Sequence, residues 1–287
     1  MNAIETQALT YRYPNTSKST PAAIEGIDLT VAAGELLAVI GHTGSGKSTL
    51  VQHLNALLKP TSGTVFVDGK NIWENKKAIR QARFLVGLCF QYPEYQLFEE
   101  TVERDIAFGP KNMGLDAEEI RRRVLHSLQY VGLTPAYLEK SPFDLSGGEK
   151  RRVAIAGVMA MEPHVLVLDE PTAGLDPGGK EQILEMIRQY RGETGRTVLI
   201  ISHNMEEVAR MAERVLVLHQ GKAAMQGTVE EVFSRGTELA AMGLTVPTVT
   251  RIFARLAQTG LPVHTGVYTP EQGVAELRRV KWEGVEA

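Results

Sequence analysis

The sequence predicts an α/β fold with parallel strands at its centre. Three short, continuously apolar runs, at 36–40, 165–168 and 198–201, are typical of buried strands. A glycine-rich turn follows the first run, and then a helix that we expect to begin near Gly46. A strand, a glycine loop and a helix in this order form half of a parallel α/β unit.

The remaining elements follow from the two periods of apolar residues. Alternation predicts further strands at 3–10, 24–31 and 64–67, and a fourth apolar run predicts one at 215–218. Helical spacing predicts helices at 117–132, 180–190 and 205–212. We interpret 115–157 as a mostly helical insert. Past a boundary near Gly236, one amphipathic helix is indicated by Val249, Ile252, Phe253 and Leu256.

Composition excludes several classes of protein. The 287 residues are 43% hydrophobic and 23% charged, and the net charge of -3 is unlike the basic footprint of a nucleic-acid-binding domain. The one cysteine, Cys89, lies in an apolar run, which fits a reducing compartment without disulfides. We expect no signal peptide and no membrane-spanning helix. A soluble protein that meets a membrane only through partners is therefore expected.

Residues 41–48 fit the phosphate-loop pattern G-x-x-x-x-G-K-[ST], with a strand before and a helix after. Glycines let the backbone wrap a phosphate with its amide groups, and the helix N-terminus adds partial positive charge. We expect Lys47 to bridge the β- and γ-phosphates of a nucleotide and Ser48 to bind Mg²⁺. The expected nucleotide contacts in this stretch are Gly41, His42, Thr43, Gly44, Ser45, Gly46, Lys47, Ser48 and Thr49.

Two acids end the strand at 165–168, where α/β sheets bind ligands. We expect Asp169 to hold Mg²⁺ through water and Glu170 to orient and deprotonate the attacking water. The simpler alternative is that both acids cap the next turn, which the phosphate loop makes less attractive.

Residues 145–149, Leu-Ser-Gly-Gly-Glu, begin a predicted helix at 150–161. Ser146 and Glu149 fit a capping box, while the serine with Gly147 and Gly148 fits a second anion site. Both interpretations are compatible. We therefore expect the second site to serve the nucleotide of another subunit.

These motifs, taken in order over residues 3 to 234, resemble the ABC ATPases. The resemblance assigns Gln91 to the loop that contacts Mg²⁺ and the membrane partner, and His203 to the γ-phosphate. It assigns residues 173–176 to a loop whose Asp176 acts in trans. Tyr13 corresponds to the aromatic residue that stacks on adenine, in preference to Tyr11.

A narrower resemblance is to the ATPases of energy-coupling factor (ECF) transporters. It rests on residues 41–44, 90–103 and 141–148, and the His42-Thr43 pair indicates the second of two paralogues. The tail shares the spacing of a pairing element through Leu239, Gly243, Leu244 and Pro247. Glu149 and Lys150 depart from the usual Gln-Met. Glu149 keeps the cap but brings a carboxylate near the partner's nucleotide.

The resemblance implies a P-loop NTPase of ABC ATPase type, with a mainly parallel core sheet, an antiparallel β subdomain and a helical subdomain at about 92–160. It implies a nucleotide-binding domain over 1–236 and a small α-containing domain over 237–287 that serves dimerisation.

The implied function is ATP hydrolysis with Mg²⁺ at the cytoplasmic face of the cell membrane, driving uptake of a micronutrient. The implied partners are a paralogous ATPase or a second copy, a membrane scaffold (T-type) subunit that contacts 93–105, and, indirectly, a substrate-binding (S-type) subunit. In that segment we expect the main contacts among Glu94, Glu99 and Glu103, since arginines pair with carboxylates.

Three other functions compete with this one. A cobalt or nickel uptake ATPase of the same family stays open. A soluble ABC ATPase of DNA repair or translation would usually carry a coiled coil, a zinc insertion or a fused second half, and no such feature is visible. A non-catalytic ATP-binding module would lack Glu170 or His203, and the sequence has both.

Overall fold

The computed structural model describes residues 1–14 and 21–283. The strands are β1 (Asn2–Tyr11), β2 (Ile24–Ala32), β3 (Leu36–Ile40), β4 (Ser62–Val67), β5 (Lys70–Asn71), β6 (Val86–Cys89), β7 (Val165–Asp169), β8 (Thr197–Ile201), β9 (Arg214–His219) and β10 (Lys222–Thr228). The helices are α1 (Lys47–Leu54), α2 (Lys76–Leu85), α3 (Val102–Met113), α4 (Ala117–Tyr130), α5 (Gly147–Met159), α6 (Pro177–Thr194), α7 (Met205–Met211), α8 (Val229–Phe233), α9 (Gly236–Ala241), α10 (Thr248–Gln258) and α11 (Pro270–Glu283).

The chain divides into two compact units, which we call unit 1 (Met1–Glu35 with Ser48–Ile201) and unit 2 (Leu36–Lys47 with Ser202–Ala287). Unit 1 contains an antiparallel sheet in the order β2-β1-β4-β5, as predicted for the β subdomain. It also contains the parallel strands β6, β7 and β8, with β7 in the middle. Every residue of β7 and β8 is buried, because both faces of a parallel sheet are covered.

The helical part of unit 1 is built from α3, α4 and α5. Each begins at a side-chain cap, in which Thr101, Asp116 or Ser146 accepts a backbone N–H of the first turn. Helix α3 packs closely on α5, since a Cβ on Gly157 of α5 would lie 3.8 Å from the Cα of Ile106 in α3. Helix α4 and most of α5 lie in the segment predicted to be a mostly helical insert, 115–157, whereas α3 lies entirely before it.

In unit 2, β3 pairs with β9 in parallel, and β9 pairs with β10 antiparallel. Helices α8 to α11 follow these strands, and the buried residues of α10 are Thr250 and Phe253. Leu239 is fully buried in α9 and Leu244 is largely buried after it. The proposed division at 236/237 stays a prediction.

The predicted strands and helices are present, with ends shifted by a few residues. Strand β10 was missed because only Met225 of its seven residues is buried, so it has no alternating apolar pattern. Helix α2 was missed because only Ala82 of its ten residues is buried. Across 1–14 and 21–283, every helix is too short or too polar to cross a lipid bilayer.

Candidate nucleotide-binding site

The predicted phosphate loop lies between β3 and α1, and its first seven residues belong to unit 2. Gly41, Gly44 and Gly46 have φ angles of +157°, +81° and +103°, which glycine adopts at little cost. A Cβ on Gly41 would lie 2.4 Å from the backbone oxygen of Leu218, so the loop has room only for glycine there. The glycines thus let the backbone curl around a small anion.

Lys47 is the first residue of α1 and is 9% exposed. Its ammonium group donates hydrogen bonds to the backbone oxygens of Gly41 and His42, at 2.8 and 3.0 Å. The side chain is therefore folded back over its own loop. This places a positive charge where the loop would hold phosphates.

The residues of α1 after Lys47 belong to unit 1. The hydroxyl of Ser48 donates to the carboxylate of Asp169 at 2.8 Å, across 121 residues of sequence. Hydroxyl and carboxylate oxygens are ligands that Mg²⁺ prefers, so this pair fits the predicted cation. Asp169 ends β7 and is buried.

Glu170 follows on an unusual backbone, with a φ of +49°. Its N–H donates to the backbone oxygen of Ile201 at 3.0 Å, which ties it to the end of β8. The side-chain amide of Gln91 donates to its carboxylate at 2.8 Å. Left-handed backbone at a residue other than glycine is costly and clusters at functional sites. The structure therefore brings together the predicted base and the predicted Gln91, 79 residues apart.

The two candidate tyrosines differ in exposure. Tyr13 is 45% exposed, and its hydroxyl is hydrogen-bonded to that of Thr49 at 3.0 Å. Tyr11 is 8% exposed and packs edge-on against the rings of Tyr13 and of buried His53. Only the ring of Tyr13 has the exposed face that stacking on a base requires, which agrees with the sequence-based preference.

The second anion site is the N-terminus of α5, where Ser146, Gly147 and Gly148 are all exposed. The capping box is complete. Ser146 donates to Glu149 through its backbone N–H at 2.8 Å and through its hydroxyl at 2.7 Å. The hydroxyl of Tyr137 also donates to Glu149, at 2.7 Å. These bonds, that of Tyr137 foremost, lower the pKa of Glu149 to about 2.

A groove of about 320 Å³ connects this N-terminus with the loop that contains Asp176. Asp176 caps α6 by accepting the N–H of Gly179 at 2.9 Å. The two residue groups predicted to act in trans therefore line one surface of unit 1. His203 lies in unit 2, exposed, directly before Asn204, the N-cap of α7.

The structure corrects one expectation, that Glu94 offers its charge to a partner. Both oxygens of Glu94 accept hydrogen bonds from Arg151, at 2.7 and 3.0 Å, and the side chain is 15% exposed. Arg151 is 2% exposed and also donates to the backbone oxygens of Pro171 and Ala173. Because the carboxylate neutralises a buried guanidinium, Glu94 is a structural residue.

Sequence reasoning missed two residues near this site. Arg151 was overlooked because arginines in a helix are usually solvated, and its partner is 57 residues away. Tyr137, which holds Glu149, lies in a short 3₁₀ turn, Pro135–Tyr137, without any pattern of its own. The one available signal was Glu149 itself, which replaces the usual glutamine and indicates that hydrogen-bond donors lie near its carboxylate.

Known proteins are similar to this chain in sequence. The protein-family model described as ABC transporter matches residues 24–173. The energy-coupling factor transporter ATP-binding protein EcfA2 of Clostridium tetani is 48% identical over 279 residues, 97% of both chains. The protein of that name from Symbiobacterium thermophilum is 51% identical over 258 residues, 90% of this chain and 89% of its own. The chain belongs to the ECF transporter ATP-binding proteins of the ABC transporter family.

Solved structures agree with this membership. CbiO1 of Clostridium perfringens, described as part of the ABC transporter complex cbiONQ, has a TM-score of 0.75 at 37% identity and covers 90% of this chain and 97% of its own. The dimeric cassette MJ0796 bound to ADP and Pi has a TM-score of 0.70 at 27% identity, covering 79% and 98%. The predicted ABC ATPase fold, the ATPase class and the pairing of ATP with Mg²⁺ are thereby confirmed for this ECF ATP-binding protein.

Proposed function

We propose that this ATPase powers uptake of a micronutrient through membrane partner subunits, and that the residues described above perform the chemistry. The observation that carries the proposal is the arrangement after β7. There Glu170 is bonded to Gln91, and the neighbouring Asp169 is bonded to Ser48. An acid beside a Mg²⁺-type ligand pair is what hydrolysis of a phosphoanhydride requires.

In the proposed mechanism, Lys47 and the loop amides hold the β- and γ-phosphates, and Tyr13 stacks on the adenine. Glu170 accepts a proton from the attacking water, and His203 contacts the γ-phosphate. Ser48, Gln91 and, through water, Asp169 would hold Mg²⁺, which offsets phosphate charge when bound. Gln91 donates to Glu170, so it can keep the carboxylate oriented before nucleotide arrives.

We propose further that two ATPase chains meet head to tail, and that the partner is a paralogue. Each nucleotide would then lie between one chain's phosphate loop and the other chain's α5 N-terminus with Asp176. The proposal is supported by the groove that Ser146, Gly148 and Asp176 line together, with the serine and glycine exposed. Hydrolysis should then rise steeply with protein concentration for the isolated chain. A monomer by light scattering with full activity would contradict the pairing.

The proposed docking segment for the membrane scaffold at the cytoplasmic face is 93–105, with Glu99 and Glu103 as the remaining acidic contacts. Glu103 pairs with the exposed Arg121, and an exposed pair of this kind exchanges partners at little cost. Glu99→Lys/Glu103→Lys should lose copurification with the scaffold and keep nucleotide affinity. Glu118→Lys/Glu271→Lys, at two exposed sites on other helices, is the matched control. Unchanged scaffold binding, or lost nucleotide binding, would contradict the assignment.

The function is tested by Glu170→Gln, which keeps the shape of the side chain and removes the base. Hydrolysis by the assembled complex should fall by about 10²–10⁴-fold, while ATP still binds and the closed pair accumulates. Glu118→Gln is the control for loss of one exposed carboxylate and should hydrolyse ATP at the parent rate. A Glu170→Gln complex that also works at the parent rate would remove Glu170 from the role of base.

A further inference from the structure

The carboxylate of Glu149 accepts three hydrogen bonds at the start of α5. Oε2 accepts the backbone N–H and the hydroxyl of Ser146, at 2.8 and 2.7 Å. Oε1 accepts the hydroxyl of Tyr137 at 2.7 Å. A capping box alone accounts only for the backbone bond and for the return bond from the Glu149 N–H to Ser146. The hydroxyl bond from Ser146 and the bond from Tyr137 are additional.

The proton count of these groups has a consequence for Ser146. A serine hydroxyl has one proton to donate, and here it is directed at a carboxylate. An ionised carboxylate has two acceptor oxygens and no donor, whereas a glutamine amide has one acceptor oxygen and two N–H donors. Both Ser146 donors meet the same oxygen, Oε2, and a hydrogen bond to an ionised oxygen is roughly twice as strong as one to a neutral amide oxygen. With glutamine at position 149, the serine proton would therefore be held less tightly and would be more available to a phosphate.

Charge at this helix end points in the same direction. The N-terminus of a helix carries the equivalent of roughly +0.5 elementary charge, which normally attracts anions. The Glu149 carboxylate contributes a full negative charge within the first turn. Because its charge is the larger of the two, the end of α5 attracts a phosphate more weakly than a neutral signature helix would.

We propose that Glu149 is a positioning residue that withholds the Ser146 hydroxyl from the partner's nucleotide. The inference rests on the proposed head-to-tail pairing. Glu149 then makes the two ATP sites of the paired ATPases unequal. The site that this chain's α5 completes lacks one hydrogen bond to the nucleotide and faces a fixed negative charge. Tyr137 holds the carboxylate in the withholding position from the opposite side.

The test is a double-mutant cycle in the assembled ATPase complex, with kcat and KM for ATP measured separately. Glu149→Gln should lower KM by about 3–10-fold, since it weakens the bond that holds the serine proton and removes the charge. Ser146→Ala should raise KM by less than about 3-fold in the parent, and by about 10-fold or more in the Glu149→Gln background. This non-additivity is the signature of a withheld hydroxyl, because a purely structural cap would be lost equally in both backgrounds.

Tyr137→Phe is the second arm of the test. It removes one bond to Glu149 and keeps the charge, so KM should move toward the Glu149→Gln value by less than about half of the change. Glu118→Gln, which removes an exposed charge elsewhere, should leave KM unchanged. Thermal unfolding of each variant checks that α5 stays folded.

Two outcomes would overturn the proposal, and they differ. If Ser146→Ala raises KM equally and strongly in both backgrounds, the hydroxyl already serves the nucleotide in the parent and Glu149 withholds nothing. If Ser146→Ala has no effect in either background, Ser146 does not act in trans. The proposed pairing at this helix then fails, and the inference fails with it.

Discussion

Two helices of this protein begin at glycine-rich turns predicted to hold phosphate, and they are equipped in opposite ways. Helix α1 begins at Lys47, whose ammonium is bonded to the loop, and it has no acid in its first turn. Helix α5 is capped by an exposed serine and has Glu149 in its first turn, with its carboxylate bonded to Ser146 and Tyr137. The partial charge of the helix end is the same in both, so the side chains of the first turn decide how strongly each attracts an anion.

The largest expected effect is a difference in ATPase turnover between variants of two lysines, Lys47 in α1 and Lys150 in α5. Lys47→Ala removes the cation from the phosphate loop and should lower turnover by about 10²–10³-fold, as loss of a charge-stabilising donor does. Lys150→Ala removes a cation from the first turn of α5, where Glu149 already sets the sign of the charge. We expect it to change turnover by less than about 3-fold. Steady-state ATPase assays of both variants make the comparison, and equal losses would mean that the helices are equivalent.

The sequence predicted α1 fully and α5 only in part, for a physical reason. The geometry of loop 41–48 involves its own backbone and its own lysine, so a local pattern contains nearly all of it. Helix α5 depends on Tyr137, ten residues before it begins, and on Glu94, far away in the chain. Such contacts leave no periodic pattern. The acidic segment after Gln91 therefore seemed to be a uniform docking surface, although one of its acids belongs to a buried ion pair.

A second prediction compares the buried ion pair that holds α5 with an exposed ion pair. Arg151 in α5 is buried and paired with Glu94, so Arg151→Met should lower the free energy of unfolding by about 3–5 kcal/mol. Arg104→Met removes an arginine from the exposed pair with Glu100 and should cost less than about 1 kcal/mol. Urea unfolding measures both. The double variant Glu94→Gln/Arg151→Met should recover part of the loss, and no recovery would mean that Arg151 matters only through its bonds to backbone oxygens.

The smallest expected effect is the pH dependence of the cap on α5. Hydrogen bonds from Tyr137 and Ser146 hold the pKa of Glu149 at about 2, below its ordinary value of 4.5. A carboxyl whose pKa is lowered by folding stabilises the protein fully above its unfolded pKa, and that contribution is lost as the pH falls through the folded value. Glutamine at position 149 has no such titration.

The unfolding temperature of the parent should therefore exceed that of Glu149→Gln by a constant margin between pH 5 and 8, corresponding to at most about 1 kcal/mol. The margin should shrink as the pH falls from about 4.5 toward 2. The strongly lowered pKa values of Glu119 and Glu276 affect both proteins alike and cancel in the difference. A margin that stays constant down to pH 2.5 would show that the carboxylate gains nothing from Tyr137 and Ser146 in the folded protein.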